Sequence, residues 1–266
     1  MEWIERLFGS KKPIIAMCHL HALPGDPQYD PGKGIRWVIG KALQDLTALQ
    51  DGGVDGVMFS NEYSIPYLTR VEQITVASMA RIIGELKNKI KIPFGVNVLW
   101  DPMATIDLAV ATEASFAREV FSGAYAGDFG VWNTDFGNTA RHRHRTHGDG
   151  IRLLFNIVPE AATYLANREI ENIALSTIFN MNPDALCISG ITAGVETSLN
   201  LLKRVKEVVP DLPVFANTGV NAENIKEQLA VVDGAVIGTG LKYDGKIWND
   251  VDIKRVRELM HLVKSL

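Results

Sequence analysis

The sequence predicts one α/β domain spanning residues 1–266, a closed (β/α)8 barrel, and three observations carry that prediction. Eight short β-rich runs alternate with longer stretches of helical period along the whole chain. The runs are nearly continuous in apolar residues, as in Ile14-Ile15-Ala16-Met17 and Ala235-Val236-Ile237, which suits strands covered on both faces. The turn after the first run, His19-Leu20-His21-Ala22-Leu23-Pro24-Gly25, lacks the glycine-rich opening of a doubly wound sheet, the alternative architecture.

In order, strands are expected at residues 13–19, 54–61, 92–101, 116–121, 151–158, 185–189, 213–218 and 234–238. Helices are expected at 35–50, 71–89, 103–112, 160–177, 197–209, 222–231 and 252–266, where apolar residues recur at three- and four-residue steps. Asp101-Pro102 supplies a capping acid followed by proline at the first helical position, and Asn221 stands three residues before Asn224 at another helix start. Trp3, Ile4, Leu7 and Phe8 form one face of a short amphipathic helix placed to close the barrel floor. The stretch 123–150 shows no clear period and is expected as a long loop over the active face after the fourth strand.

Composition narrows the partners. Of 266 residues 47% are hydrophobic and 22% charged, enough to fill a large core and keep the exterior wet. A net charge of −4 gives no general attraction to nucleic acid or to an anionic membrane, so neither is an expected partner. Residues 1–9 lack the apolar centre of a signal peptide, and no run approaches the ~20 residues that cross a bilayer. Cys18 and Cys187 sit inside apolar runs, suggesting neither a disulfide framework nor a zinc module; a cytoplasmic location is expected. Barrel helices expose patches that often pair copies of one chain, so a homo-oligomer is among the expected assemblies.

In a barrel, chemistry sits at the C-terminal strand ends. The polar residues there are His19 and His21, Asn61 and Glu62, Asn97 and Asp101, Arg118 and Glu119, Asn156, Ser189, Asn217 and Thr218, Gly238, Thr239 and Gly240, and Lys242. Strand alternation puts Asn97, Leu99 and Asp101 on one face, toward the mouth, so His19, Asn97, Asp101 and Glu119 are the candidate acid–base residues; Asp101 has a rival reading as a helix cap. Asn217-Thr218-Gly219 and Gly238-Thr239-Gly240 end the last two strands, where barrels often bind phosphate. With Asn61, Asn156, Ser189 and Lys242 they are the candidate ligand residues, with tight turns as the plain alternative.

A hard divalent ion, Mg²⁺ or Mn²⁺, held by Glu62, Asp101 or Glu119 is a candidate cofactor. His19-Leu20-His21 resembles the His-x-His of metal-dependent barrel hydrolases, but the later strands lack the histidines and closing acid such sites need. Schiff-base chemistry needs a buried strand-end lysine, and strands two to seven offer none. Arg141, Arg143 and Arg145, in the densest charge cluster, are either a solvated loop or a lid that clamps an anion. Cys187 is a weak nucleophile candidate.

Several segments resemble the BtpA family, closest to its SgcQ subgroup: Ile15-Ala16-Met17-Cys18-His19-Leu20 through Leu23-Pro24-Gly25, Gly52-Gly53-Val54-Asp55-Gly56-Val57-Met58, Pro93 through Asp101, Asn217-Thr218-Gly219-Val220, and Lys242 through Gly245. The likeness covers essentially the whole chain. It implies a TIM barrel of the ribulose-phosphate-binding type, and His19, Asn97, Asp101, Gly219 and Gly238 match family motifs. Family members are associated with photosystem I biogenesis, and the subgroup with a sugar phosphotransferase gene cluster. His21 falls at a variable place, and Pro159-Glu160 stand where the wider family often has Lys-His.

Three functions follow as expectations. The first is an enzyme using acid–base chemistry on a phosphorylated sugar or similar small phosphate ester, as isomerase, epimerase or lyase. The second is a non-catalytic ligand sensor or assembly factor. The third is a metal-assisted phosphate-ester or nucleoside hydrolase.

Overall fold

Along the chain, a computed structural model describes residues 2–190 and 196–266. Its elements are α1 (Glu2–Phe8), β1 (Ile14–His19), α2 (Gly34–Gly52), β2 (Gly56–Ser60), α3 (Gln73–Leu86), β3 (Phe94–Asn97), α4 (Pro102–Thr112), β4 (Phe116–Glu119), β5 (Ala124–Gly127), β6 (Gly130–Asn133), α5 (Phe136–Arg145), β7 (Arg152–Val158), β8 (Ala162–Tyr164), α6 (Ile170–Met181), β9 (Ala185–Ile188), α7 (Leu199–Val208), β10 (Val214–Ala216), α8 (Ile225–Val231), β11 (Gly234–Ile237) and α9 (Ile253–Lys264). Eight of the strands close a barrel in the order β1-β11-β10-β9-β7-β4-β3-β2, and every pairing in it is parallel. This is the expected (β/α)8 architecture.

The strand period of two sorts side chains into two layers. Ile15, Met17, Met58, Phe116, Leu154, Cys187, Phe215 and Val236 pack in the interior, while Ile14, Ala16, Cys18, Val57, Phe59 and Val96 meet the helices. On α2, Val38, Ala42, Leu46 and Leu49 make the buried stripe, and Gly53 ends the helix at φ 90°, a conformation open to glycine without strain. Ile4 and Phe8 of α1 plug the floor, with the Phe8 ring edge-on to Phe116 at 5.5 Å between centroids.

The expected long loop at 123–150 is corrected by the structure. It contains β5, β6 and α5, and β5 pairs antiparallel with both β6 and β8 to form a small second sheet. Short glycine-flanked strands and a helix rich in Arg and His show little apolar period, which hid them. What holds them is aromatic: Trp132 of β6 stacks near Trp100 at 5.0 Å, and Phe136 of α5 meets Phe155 at 4.9 Å. The helix expected over 160–177 likewise begins only at Ile170, because residues 162–164 are taken by the small sheet.

Gly95 is the inward residue of β3 that lets Phe116 fill the centre; a Cβ there would lie 2.2 Å from the Phe116 ring. Gly95→Ala is therefore expected to lower the unfolding free energy by about 1–3 kcal/mol, as overpacked cores do, measured by urea denaturation.

Candidate active site at the barrel mouth

Two positions beyond each inward apolar residue, the same parity brings the next side chain to the interior at the upper rim. His19 follows Met17, Ser60 follows Met58, Asn97 follows Gly95, Arg118 follows Phe116, Asn156 follows Leu154, Ser189 follows Cys187, Asn217 follows Phe215 and Gly238 follows Val236. The floor of the mouth is thus a ring of polar groups laid over an apolar core.

Arg118 is its centre. The guanidinium is 5% exposed; Nη1 donates to Asn217 Oδ1 at 2.6 Å and Nη2 to Asn97 Oδ1. Asn97 Nδ2 donates to Glu119 Oε2 at 2.6 Å, and Asn217 Nδ2 donates to Ser189 Oγ at 2.7 Å, which also meets Asn156. The cation is therefore held by neutral amides, which fix its plane without cancelling its charge. Its Nε is buried without a partner, as are His19 Nδ1, Glu160 Oε2 and Trp100 Nε1 among the described residues. Buried polar atoms are ordinarily hydrogen-bonded, so four open ones around one space make it the candidate site.

That space is a cleft with about 200 Å³ of water-accessible volume. One wall is His19, Glu62, Arg118 and Glu160; another is Asn217, Thr218, Gly219 and Val220 with Gly238, Thr239 and Gly240; a third is Tyr67, Leu99, Trp100 and Phe129. The two glycine turns touch. A Cβ on Gly240 would lie 2.4 Å from Val220 O, and one on Gly238 would lie 2.9 Å from His19 Cε1, so glycine at 238 leaves room for the imidazole.

Burial governs the titration here. It drives the His19 imidazole well below its ordinary 6.5, with Lys242 and Arg118 adding repulsion, so His19 is neutral. His19 Nε2 stands 3.7 Å from Glu62 Oε2, beyond hydrogen-bond range, and is not an ion pair. Burial likewise raises Glu62 and Glu160, against the pull of Arg118. Glu119 is pushed up to about 8, mainly by burial, although the Val120 N–H and Arg118 oppose the shift.

The structure brings together His19, Glu62, Asn217, Thr218, Gly219, Gly238, Thr239 and Gly240 around the cleft. It separates others. Asp101 does not continue β3, which ends at Asn97; its Oδ1 accepts from Met103 N and Ala104 N and its Oδ2 from Val71 N, so it caps α4, and the rival reading is the one observed. Asn97 and Glu119, each fully buried, hold Arg118 from behind and do not line the cleft. Asn156 and Ser189 extend the same network. Asn61 uses both ends of its amide on the Leu99 backbone.

Lys242, 1% exposed, donates to Tyr63 Oη and Asn249 O in the layer outside the strands rather than reaching the cleft. His21 is not beside His19 in the mouth but packs between Trp37 and Tyr63. Cys187 lies in the barrel core, with its thiol pushed up to about 12 by burial. Among the described residues, Glu62, Asp101 and Glu119 are not gathered, and no group of three or more His, Cys, Asp or Glu is placed to hold a metal ion.

The lid assignment of Arg141, Arg143 and Arg145 is corrected. They sit on the last turns of α5, which leads to the N-terminal end of β7 and hence the barrel floor. Arg143 donates to the carbonyls of Gly148, Asp149 and Ile151, Arg141 to Gly137 O, and Arg145 is exposed. Arg118 stood among the strand-end polar residues without a role, Glu160 was noted only as a departure from the family, and Tyr67, Trp100 and Phe129 were not among the candidates. For Arg118 the signal was present, since a charge two residues after an inward phenylalanine must enter the barrel; the aromatic wall depends on the small sheet, which had no clear pattern.

A closed barrel of eight parallel strands with helices between them defines a TIM-barrel protein. N-(5'-phosphoribosyl)anthranilate isomerase from Pyrococcus furiosus superposes with a TM-score of 0.58 at 15% identity, over 96% of this chain and 100% of that one, which is a likeness of fold. The chain belongs to the BtpA family, whose model matches residues 10–265. It is 60% identical to the sgc region protein SgcQ of Escherichia coli over 100% of this chain and 99% of that one. It is 29% identical to the photosystem I biogenesis protein BtpA of Synechocystis, over 94% and 87%. No helix among the described residues is long and apolar enough to cross a membrane.

Glu119 gives the fold a pH signature. Its carboxyl is protonated in the folded protein up to about 8 but ionises near 4.5 when unfolded, so the stability from burying it neutral is complete below 4.5 and lost as pH rises to about 8. Glu119→Gln is expected to flatten that decline, read from urea midpoints between pH 4.5 and 8.5; an unchanged slope would remove Glu119 as its source.

Proposed function

We propose that this protein is an enzyme acting on a phosphorylated sugar or a related small phosphate ester by acid–base chemistry, as an isomerase, epimerase or carbon–carbon lyase. The observation that carries the reading is a single cleft that joins the glycine turns at 217–220 and 238–240 to His19, Glu62, Arg118 and Glu160. Glycine turns after the last two strands let backbone N–H groups approach a phosphate closely. At the other end, a guanidinium oriented by two amides and free at Nε is suited to the oxyanion that forms when a proton leaves a carbon beside a carbonyl.

Protons then move through neutral His19 and the carboxyls of Glu62 and Glu160, whose raised pKa values bring them toward the range where acids and bases exchange protons efficiently. Asn97 and Glu119 act as positioning residues for Arg118. A second reading, a ligand sensor or assembly factor using the same cleft, is favoured by the name of the Synechocystis relative.

A thermal-shift screen of sugar phosphates, followed by turnover assays on whatever binds, tests the proposal. A ligand at 100 times its Kd adds about 2.7 kcal/mol. His19→Gln is expected to keep the shift and lose about 10²–10⁴ in turnover. Asp101→Ala should cost about 1–2 kcal/mol of stability through the lost cap and leave both ligand responses intact. Stabilisation without turnover would favour the sensor, and no stabilisation by any phosphate ester would overturn the proposal.

A further inference from the structure

The third wall of the cleft has no use in the chemistry above. Phe129 occupies the two-residue tip between β5 and β6, and its ring meets Tyr67 at 5.6 Å; Tyr67 in turn meets Trp100 at 6.1 Å. Behind them Trp132 backs Trp100 at 5.0 Å and itself packs on Tyr125 at 5.8 Å. Tyr125 and Trp132 are fully covered, as packing residues should be, whereas Tyr67 and Phe129 keep partly open faces and line the cleft. Trp100 is 5% exposed, lines the same cleft, and has its indole Nε1 buried without an acceptor among the described residues.

We infer that the ligand carries a planar, unsaturated ring at the end away from its phosphate, stacked on Tyr67 and Phe129 with a ring-edge acceptor for the Trp100 N–H; this rests on the phosphate-ester reading. A sugar phosphate alone could pair one or two hydroxyls there, with the Trp100 N–H and with the oxygen of the Tyr67 phenol that donates to Glu62 O, and would leave the rest desolvated against ring faces. A flat ring reverses that balance. Its face is apolar, its edge carries an acceptor, and it needs no hydroxyl partners. The substrate class is a phosphomonoester of a sugar bearing an aromatic or heteroaromatic ring.

The test measures affinities by titration calorimetry for inorganic phosphate, ribose 5-phosphate, a set of nucleoside 5'-monophosphates, and the same nucleosides without phosphate. At least one ring-bearing phosphate is expected to bind about tenfold or more tighter than ribose 5-phosphate, the scale of one base stacked on an aromatic side chain. Phe129→Ala, at an exposed hairpin tip, should remove most of that ratio, and Trp100→Phe should lower it while circular dichroism stays native.

Ribose 5-phosphate binding as well as every ring-bearing compound would overturn the ring and leave the phosphate reading standing. A ring advantage that survives both substitutions would overturn the assignment to this wall. If the nucleosides bind as tightly as their monophosphates, or if no phosphate compound binds, the phosphate reading fails and this inference fails with it.

Discussion

A buried guanidinium with no carboxylate bonded to it among the described residues is the constraint on which the mouth of this barrel depends. Arg118 sits where β4 delivers it, above Phe116, and is gripped by the amides of Asn97, from the adjacent β3, and of Asn217, which follows β10 across the barrel. Burying a charge is costly unless hydrogen bonds or a counter-charge offset it. Here two amides satisfy part of the fork and leave the charge itself outstanding. The neighbouring polar ring exists to hold that geometry: Glu119 steadies Asn97, and Ser189 with Asn156 steadies Asn217.

The rest of the barrel serves the same end. Alternation fills the interior with apolar side chains up to one level and with polar ones at the next, so the change from core to site is set by residue parity alone. Burial then sets the protonation of the site, keeping His19 neutral and lifting Glu62, Glu119 and Glu160. Burial weighs against the charged form of the cleft carboxyls, and among the described residues none of them is bonded to Arg118, an arrangement suited to an anionic group on a ligand.

The barrel was legible because eight apolar runs and their intervening helices repeat a strong pattern, and the glycine turns were legible because they end strands. Asp101 shows the limit of parity. Counting by twos from Asn97 aims it at the mouth, but β3 ends at Asn97 and the local reward of capping α4 decides its direction. Lys242 follows a turn rather than a strand, so parity never applied to it, and Tyr63 draws it into the outer layer. The arginines of α5 looked like a lid only because a polar helix has no apolar period by which to be recognised. The aromatic wall was hidden for a deeper reason: Tyr67, Trp100 and Phe129 are far apart in sequence and meet only through a sheet that follows the fourth barrel strand.

The central claim is that Arg118 is left open for a ligand anion. Nitrogen-15 NMR of arginine side chains reads it directly, because Nε–H is the donor without a partner among the described residues. On addition of a phosphate ester that stabilises the protein, the Arg118 Nε–H resonance, assigned by its loss in Arg118→Lys, should shift and become protected from exchange with water. A resonance that stays in place while the ligand saturates its site would show that Arg118 is a structural cation and contradict the account.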